Sequence, residues 1–286
     1  MSMLREAITT ATATLAEAGI DSARTDAELL AAHAAGSTRG RLALIDTADA
    51  AVLDWFANAV RQRAQRIPLQ HITGTASFGP VELKVGPGVF IPRPETESLL
   101  DWALAQPLPA DSVIVDLCTG SGALAVALAT ERPTATVIAV DDDAGALDYA
   151  RRNAASTQVR LIQADVTEPA LLPELVDTVD LVVANPPYIP AGVELEPEVA
   201  RHDPPHALFG GADGMAVIGP IARRAAAWLR PGGLLAIEHD DTTAAATVNA
   251  IIAAGPFAEV TARRDLSGRP RFVTARRVTA YRSALR

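Results

Sequence analysis

Residues that build crosslinks and metal clusters are nearly missing from this chain of 286 residues, which has a single cysteine, Cys118. One thiol excludes an internal disulfide and a cysteine-based cluster, and it suits a reducing compartment. Histidine is scarce at five residues, and no helical zinc pair and no metal are expected. No apolar run approaches the ~18 uninterrupted residues that a membrane helix needs. The opening stretch MSMLREAITTATATLAEAG carries Arg5 and Glu6 early and has no apolar signal core. The expectation is a cytoplasmic protein without membrane attachment. Lysine is also almost absent: Lys84 is the only one, so arginine supplies 24 of the 25 basic residues.

What is there reads as a folded protein of one or two domains. At 49% hydrophobic and 21% charged, with 19 Gly and 20 Pro, the composition excludes a disordered tail, a collagen-like fibre and a coiled coil. The net charge is −9. Residues 1–73 hold seven arginines against eight acids, so almost all of the excess lies on the remainder. A protein that embraces duplex DNA usually has the opposite sign, because phosphate neutralisation drives that binding, and no stable DNA binding is expected. Residues 263–286 are the exception, with eight arginines and one acid, Asp265. Two readings of that segment stay open: arginines on the exposed face of a terminal strand, or a docking patch for an acidic partner or RNA.

Three regions follow one another. Up to residue 73 apolar residues such as Ile8, Leu15, Leu30, Leu42, Phe56 and Val60 recur at helical spacing, punctuated by Gly19, Gly36 and Gly40. A small all-α N-terminal domain of four or five short helices is expected. Residues 74–94 switch to strand chemistry, with Phe78, Gly79-Pro80 and the alternating VELKV, and read as a β-hairpin linker. The segment ends in Phe90-Ile91-Pro92-Arg93-Pro94, whose prolines stiffen the chain before a helix. Residues 95–286 form the third region, where from residue 111 onward seven apolar strands follow: SVIVDL, TVIAVD, VRLIQAD, DLVVAN, GGLLAIEH, FAEVTARRD and RFVTARR. Helical patterns separate the first five, so the fold class is α/β, with a mostly parallel sheet covered on both faces. The last two strands, joined over Ser267-Gly268, are expected to make an antiparallel hairpin at one edge.

The first strand runs into Cys118-Thr119-Gly120-Ser121-Gly122. Gly120 and Gly122 permit a tight turn that a ligand can approach closely. The third glycine of a dinucleotide fingerprint is replaced by Ala125, and Asp116 stands before the loop. A carboxylate there repels phosphate but accepts from an ammonium group, which favours S-adenosylmethionine over NAD. The second strand ends at Asp141, 19 residues past Gly122, where an acid can chelate ribose hydroxyls; a helix N-cap, which Asp142 or Asp143 could also fill, is the competing use. Asp165 and Val166 end the third strand, one to accept from an adenine amine and the other to cover the ring.

The fourth strand opens onto Asn185-Pro186-Pro187-Tyr188. Proline has no N–H, so this turn offers carbonyl oxygens without competing donors. The Asn185 side chain and the Pro186 carbonyl make two fixed acceptors for one NH2 group, and Tyr188 adds a flat face. An amide or aromatic amine shares its lone pair with a π-system and attacks poorly; holding both hydrogens favours rehybridisation and aims the lone pair at a methyl group. The proton turns acidic only as the bond forms, so a strong base is unnecessary. These residues point to methyl transfer onto a planar NH2.

With those residues in place, the chain resembles the HemK/PrmC family of protein-glutamine N5-methyltransferases that modify peptide chain release factors. The resemblance runs through HITGTASFG at His71–Gly79, FIPRPETE at Phe90–Glu97, DLCTGSGALA at Asp116–Ala125, NPPYIP at Asn185–Pro190, HDPPHALFGGADG at His202–Gly214 and DLSGRPRFV at Asp265–Val273. It implies a Rossmann-like class I methyltransferase domain, S-adenosylmethionine as methyl donor with S-adenosylhomocysteine as product, and the glutamine of a Gly-Gly-Gln loop as acceptor. It implies that Asn185, Pro186, Pro187 and Tyr188 grip that amide and that Phe90 closes the pocket; for Arg93 and Thr96 two roles stay open, organising the pocket entrance and the cofactor's methionine end, or a purely structural one. Asp116, Cys118, Thr119, Gly120, Ser121, Gly122, Asp141, Asp165, Val166 and Asn185 would line the cofactor site. The helical N-terminal domain would help to recognise the release factor, and a monomer is expected.

Two positions depart from the family. Cys118 stands where the family has glycine, and Glu238-His239-Asp240-Asp241 replaces the family's Glu-x-Gly; the latter is expected to be a solvated loop. An adenine-N6 methyltransferase acting on DNA or RNA would share the acceptor geometry but needs a basic groove. A nicotinamide oxidoreductase would not need the Asn-Pro-Pro-Tyr turn, and only the arginine-rich end speaks for a non-catalytic ribosome-associated protein.

Overall fold

The structure is a computed structural model that describes residues 3–45 and 47–279. The chain divides into two compact units, Met1–Thr75 with Leu195–His202, and Ala76–Glu194 with Asp203–Arg286. In the first unit, helices α1 (Met3–Glu17), α2 (Ala23–Ala34), α3 (Ala50–Ala64) and α4 (Leu69–Thr73) surround one core. On α1, Leu4, Ile8, Ala11 and Leu15 recur at three- and four-residue intervals and are buried as one stripe. Asp49 caps α3, accepting from the Val52 N–H at 2.9 Å. Arg63 of α3 is buried with Asp26 of α2, Nε to carboxylate 2.7 Å. The segment Leu195–His202, placed in the catalytic domain on sequence, packs with this helical unit. Arg63 and Arg66 both reach Glu198 there, at 3.0 and 3.2 Å.

The second unit begins with a two-stranded sheet of β1 (Thr75–Phe78) and β2 (Val81–Lys84), followed by α5 (Pro94–Leu104). Then β3 (Val113–Leu117), α6 (Ala123–Glu131), β4 (Thr136–Asp141), α7 (Ala144–Asn153), β5 (Arg160–Gln163) and β6 (Val179–Ala184) alternate. A short α8 (Pro197–His202) belongs to the helical unit, and α9 (Ile218–Trp228), β7 (Leu229–Glu238), α10 (Ala244–Ala254), β8 (Phe257–Arg264) and β9 (Pro270–Arg277) complete the chain.

The large sheet has the order β5-β4-β3-β6-β7-β9-β8. All pairings are parallel except those of β9 with β7 and β8, which make the antiparallel edge hairpin anticipated from sequence. Side chains alternate between two buried faces. Val115, Ile138, Val140 and Val182 pack toward Ile218, Ile221 and Trp228 of α9. Ile114, Val137, Leu181 and Val183 pack toward Leu99, Leu100, Leu124 and Leu128 of α5 and α6. Burial on both faces is why these strands read as near-continuous apolar runs. From β3 the chain winds to β4 on one side, and it later returns to β6 on the other; such a switch opens a crevice at the carboxyl ends of the strands.

Candidate active site

Register fixes what meets in that crevice. Leu117 pairs with Val140 on one side and with Ala184 on the other, and Ala184 pairs with Ile237. The next residues, Cys118, Asp141, Asn185 and Glu238, therefore leave the sheet side by side in one row, each about 4.8 Å from the next strand.

The loop after β3 is held from within. Asp116 is 1% exposed, and its Oδ2 accepts from the Thr119 hydroxyl at 2.6 Å and from the Ala125 N–H at 3.1 Å. Asp141 Oδ2 accepts from the Gly120 N–H at 2.8 Å, and Asn153 donates to the Ser121 carbonyl at 2.8 Å. One N–H in the first turn of α6, that of Ala125, and one in the loop, that of Gly120, are thus spent on carboxylates, and a pyrophosphate there would face Asp116 and Asp141 at once. That weighs against a dinucleotide on electrostatic grounds. Burial pushes the Asp116 carboxyl up to about 7, against the Thr119 and Ala125 hydrogen bonds that favour its charge. Its Oδ1 is enclosed and without a hydrogen-bond partner. A buried, orphaned acceptor suits an ammonium group, so the residues present fit S-adenosylmethionine.

Cys118 has φ +60°, the left-handed region that costs an ordinary residue about 1 kcal/mol and glycine nothing. The backbone therefore explains why glycine is at home at this position in the family. The thiol is half-buried, and burial together with neighbouring acids pushes it up, well above the ordinary thiol range. Thr119 and Ser121 are buried, and Gly120 and Gly122 both have positive φ. Asp143, not Asp141, caps α7, accepting from the Ala146 N–H at 2.7 Å. Asp141 also accepts from the Asp143 N–H at 3.0 Å, and burial raises its carboxyl above the usual range. Asp165 is exposed and turns back on Thr167, accepting from its N–H and hydroxyl at 2.7 Å each; those bonds lower its carboxyl. Val166 is buried in the core face shared with β4 and β6.

The turn after β6 is braced from two directions. Ile189 exchanges hydrogen bonds with Leu208 and Gly210, at 2.8 and 2.9 Å. Gly214 has φ +77°, and a Cβ there would lie 2.2 Å from the Tyr188 carbonyl oxygen; at Gly210 it would lie 2.5 Å from that of Pro187. The glycines of HDPPHALFGGADG are thus the space in which the Asn-Pro-Pro-Tyr turn sits. From the other side, Asn185 Nδ2 donates to the Thr96 hydroxyl oxygen at 3.1 Å, which ties this turn to the first turn of α5. Pro186 is buried, whereas Pro187 and Tyr188 are half-buried.

One residue beside the site belongs to no motif in the sequence. Glu238, expected in a solvated loop, is the last residue of β7 and 1% exposed; His239 is fully buried. The Tyr188 hydroxyl donates to Glu238 Oε1 at 2.8 Å. Burial pushes the Glu238 carboxyl up to about 7, while Thr96, Tyr188 and Arg271 favour its charge. Burial also lowers the His239 ring, whose Nδ1 bonds the Asp240 carbonyl. The available signal was position: an acid ending a strand beside the cofactor crevice, as Asp141 does.

Phe90 is half-buried under the Arg93 guanidinium, 4.9 Å from the ring centroid, and Arg93 pairs with buried Asp203. His202 and His206 do stand four apart, so the expectation that no pair has helical zinc spacing fails on the sequence itself. Helix α8 ends at His202 and Pro204-Pro205 follow, so the pair shares no helix face. Among the described residues no group of three His, Cys, Asp or Glu could hold a metal ion, and no helix is long and apolar enough to cross a membrane. Of the terminal arginines, Arg271, Arg276 and Arg277 pair with Asp265, Glu259 and Asp177; Arg282 and Arg286 lie outside the described residues.

Residues 6–74 match the family described as "PrmC N-terminal domain", and residues 87–202 match "Methyltransferase small domain". A release factor glutamine methyltransferase of Mycolicibacterium smegmatis is 66% identical over 278 residues, covering 97% of this chain and 99% of that protein. The chain belongs to the release factor glutamine methyltransferase family. A further family member, from Mycobacterium leprae, is 59% identical over 97% of this chain and 98% of its own length. A 4-amino-L-phenylalanine/4-methylamino-L-phenylalanine methyltransferase of Streptomyces pristinaespiralis is 41% identical, covering 91% of both chains. That protein's named substrate is an aromatic amine, another planar nitrogen.

Proposed function

We propose that this protein transfers the methyl group of S-adenosylmethionine to the side-chain N5 of the glutamine in the Gly-Gly-Gln loop of peptide chain release factors, and so tunes translation termination. The observation that carries the reading is the state of Asn185. Its Nδ2 is committed to Thr96, which leaves Oδ1 as an acceptor in the row directly beside the glycine loop. Asn185 Oδ1 and the Pro186 carbonyl accept the two amide hydrogens, and Tyr188 and Phe90 enclose the flat carboxamide. Held this way, the nitrogen directs its lone pair rather than rotating freely, a gain of the near-attack kind.

The donor, when bound, supplies a methyl group on a positively charged sulfur. Asp116 accepts from its ammonium, Asp141 takes the ribose hydroxyls, Asp165 and Val166 meet the adenine, and the backbone of Cys118, Thr119, Gly120, Ser121 and Gly122 lines its amino-acid end. Arg93, held by Asp203, and Phe90 form the entrance. The helical N-terminal domain of residues 1–73 helps to select the release factor, and the protein works as a monomer in the cytoplasm.

The test is transfer of radiolabelled methyl to a release factor, to its Gln→Ala version, and to duplex DNA. Label on the first alone is expected; label on DNA would favour the adenine-N6 alternative, and no label on any acceptor would sink the reading.

A further inference from the structure

An asparagine side chain can face a partner with either its oxygen or its nitrogen, and only neighbouring groups of fixed sense decide which. Four groups stand behind the substrate turn, Arg271, Tyr188, Glu238 and Thr96, of which the guanidinium and the carboxylate have fixed sense. Arg271 can only donate; its Nε lies 3.3 Å from the Asp265 carboxylate, and its positive charge acts on the Tyr188 hydroxyl. The Tyr188 hydroxyl directs its proton onto Glu238 Oε1 at 2.8 Å. Glu238 as a carboxylate can only accept. Its Oε2 is buried with no partner at hydrogen-bond distance, and the Thr96 hydroxyl is the neighbour that most favours its charge. Thr96 is itself 3% exposed, and its oxygen already accepts from Asn185 Nδ2.

We propose that Glu238 and Thr96 are positioning residues that set the sense of the Asn185 carboxamide. The open Oε2 of the carboxylate is the acceptor offered to the Thr96 proton, the Thr96 oxygen accepts from Asn185 Nδ2, and Asn185 Oδ1 is left facing the acceptor NH2. Reversal would present donor to donor. The inference rests on the methyl-transfer reading of Asn185 and adds residues from α5 and β7 that never touch the substrate.

Glu238→Gln keeps the shape and reverses the polarity. With Tyr188 still donating to the carbonyl oxygen of the introduced carboxamide, the NH2 of that group points at Thr96, whose proton is then free only for a flipped Asn185. Thr96→Val removes the relay at constant volume, and Thr96→Ser restores the hydroxyl. The expected result is a kcat about 10–100-fold lower for the Gln and Val variants, with KM for the release factor and cofactor affinity little changed and Thr96→Ser close to the unaltered rate. A second readout needs no turnover. Of four asparagines, Asn185 is identified by selective 15N labelling as the side-chain signal missing from Asn185→Asp. That signal should shift in the Gln and Val variants and hold its place in the Ser variant. An unshifted Asn185 signal with undiminished kcat in Glu238→Gln would overturn the proposal, as would a Ser variant as impaired as the Val one. Should the unaltered protein methylate nothing, the functional reading fails, while the signal still decides the network.

Discussion

Two carboxylates stand near the carboxyl ends of strands of the same sheet, Asp116 as the penultimate residue of β3 and Glu238 as the last of β7. Both are buried, and in both burial pushes the carboxyl up to about 7. They differ in what surrounds them. Asp116 receives a hydroxyl and a backbone N–H on one oxygen and keeps the other bare, so it is prepared for a cation. Glu238 is ringed by Tyr188, Thr96 and Arg271 and works through its protein neighbours. Carboxyl chemistry at a strand end does not by itself name a role; the sense of the surrounding donors does.

The largest expected effect falls on Asn185. Asn185→Ala should lower turnover by about 10²-fold or more while cofactor affinity by calorimetry stays nearly unchanged; undiminished turnover would contradict the proposed grip. Next, Asp116→Asn should weaken cofactor binding about 10–100-fold, the usual scale of a charge-assisted hydrogen bond, with kcat at saturation retained.

Titration then separates the two acids. As pH rises through about 7, Asp116 ionises and cofactor binding should tighten, a trend that Asp116→Asn removes. Over the same range Glu238 ionises among Tyr188, Thr96, Arg271 and Glu95, and kcat should rise instead, a trend that Glu238→Gln removes. Matching pH profiles for Kd and kcat in both variants would erase the distinction. Stability has the opposite sign. Both acids have folded values above their ordinary 3.8 and 4.5, so the folded state holds more protons between about pH 4 and 7 and loses stability as pH rises through that window. Denaturant titration should show this slope, flattened in either variant. Smallest of all, Cys118→Gly relieves a left-handed backbone and should raise Tm by about 2 °C or less; a fall would mean the thiol packs better than the turn strains.

Much was legible in the residues because local chemistry repeats it. Alternating apolar runs and helices, the glycine loop after β3 and the proline turn after β6 each depend on their neighbours in sequence. Leu195–His202 joined the helical unit through Arg63 and Arg66, and nothing in its own sequence shows that partnership. Glu238 was misplaced for the same reason: beside His239, Asp240 and Asp241 it looks like a hydrated acid cluster, and only strand register puts it behind Tyr188.

The amino-acid order alone thus determined the α/β plan, the acidic balance and the identity of the groups able to hold a zwitterion and a carboxamide, since these follow from backbone propensity and side-chain chemistry. Tertiary structure alone decided which donors those groups meet: the left-handed turn at Cys118, the glycines that admit the Tyr188 carbonyl, and the hydrogen bonds from Tyr188 to Glu238 and from Asn185 to Thr96. Hydrogen-bond sense depends on contacts between residues 89 positions apart, as Thr96 and Asn185 are, and no local pattern encodes such a contact.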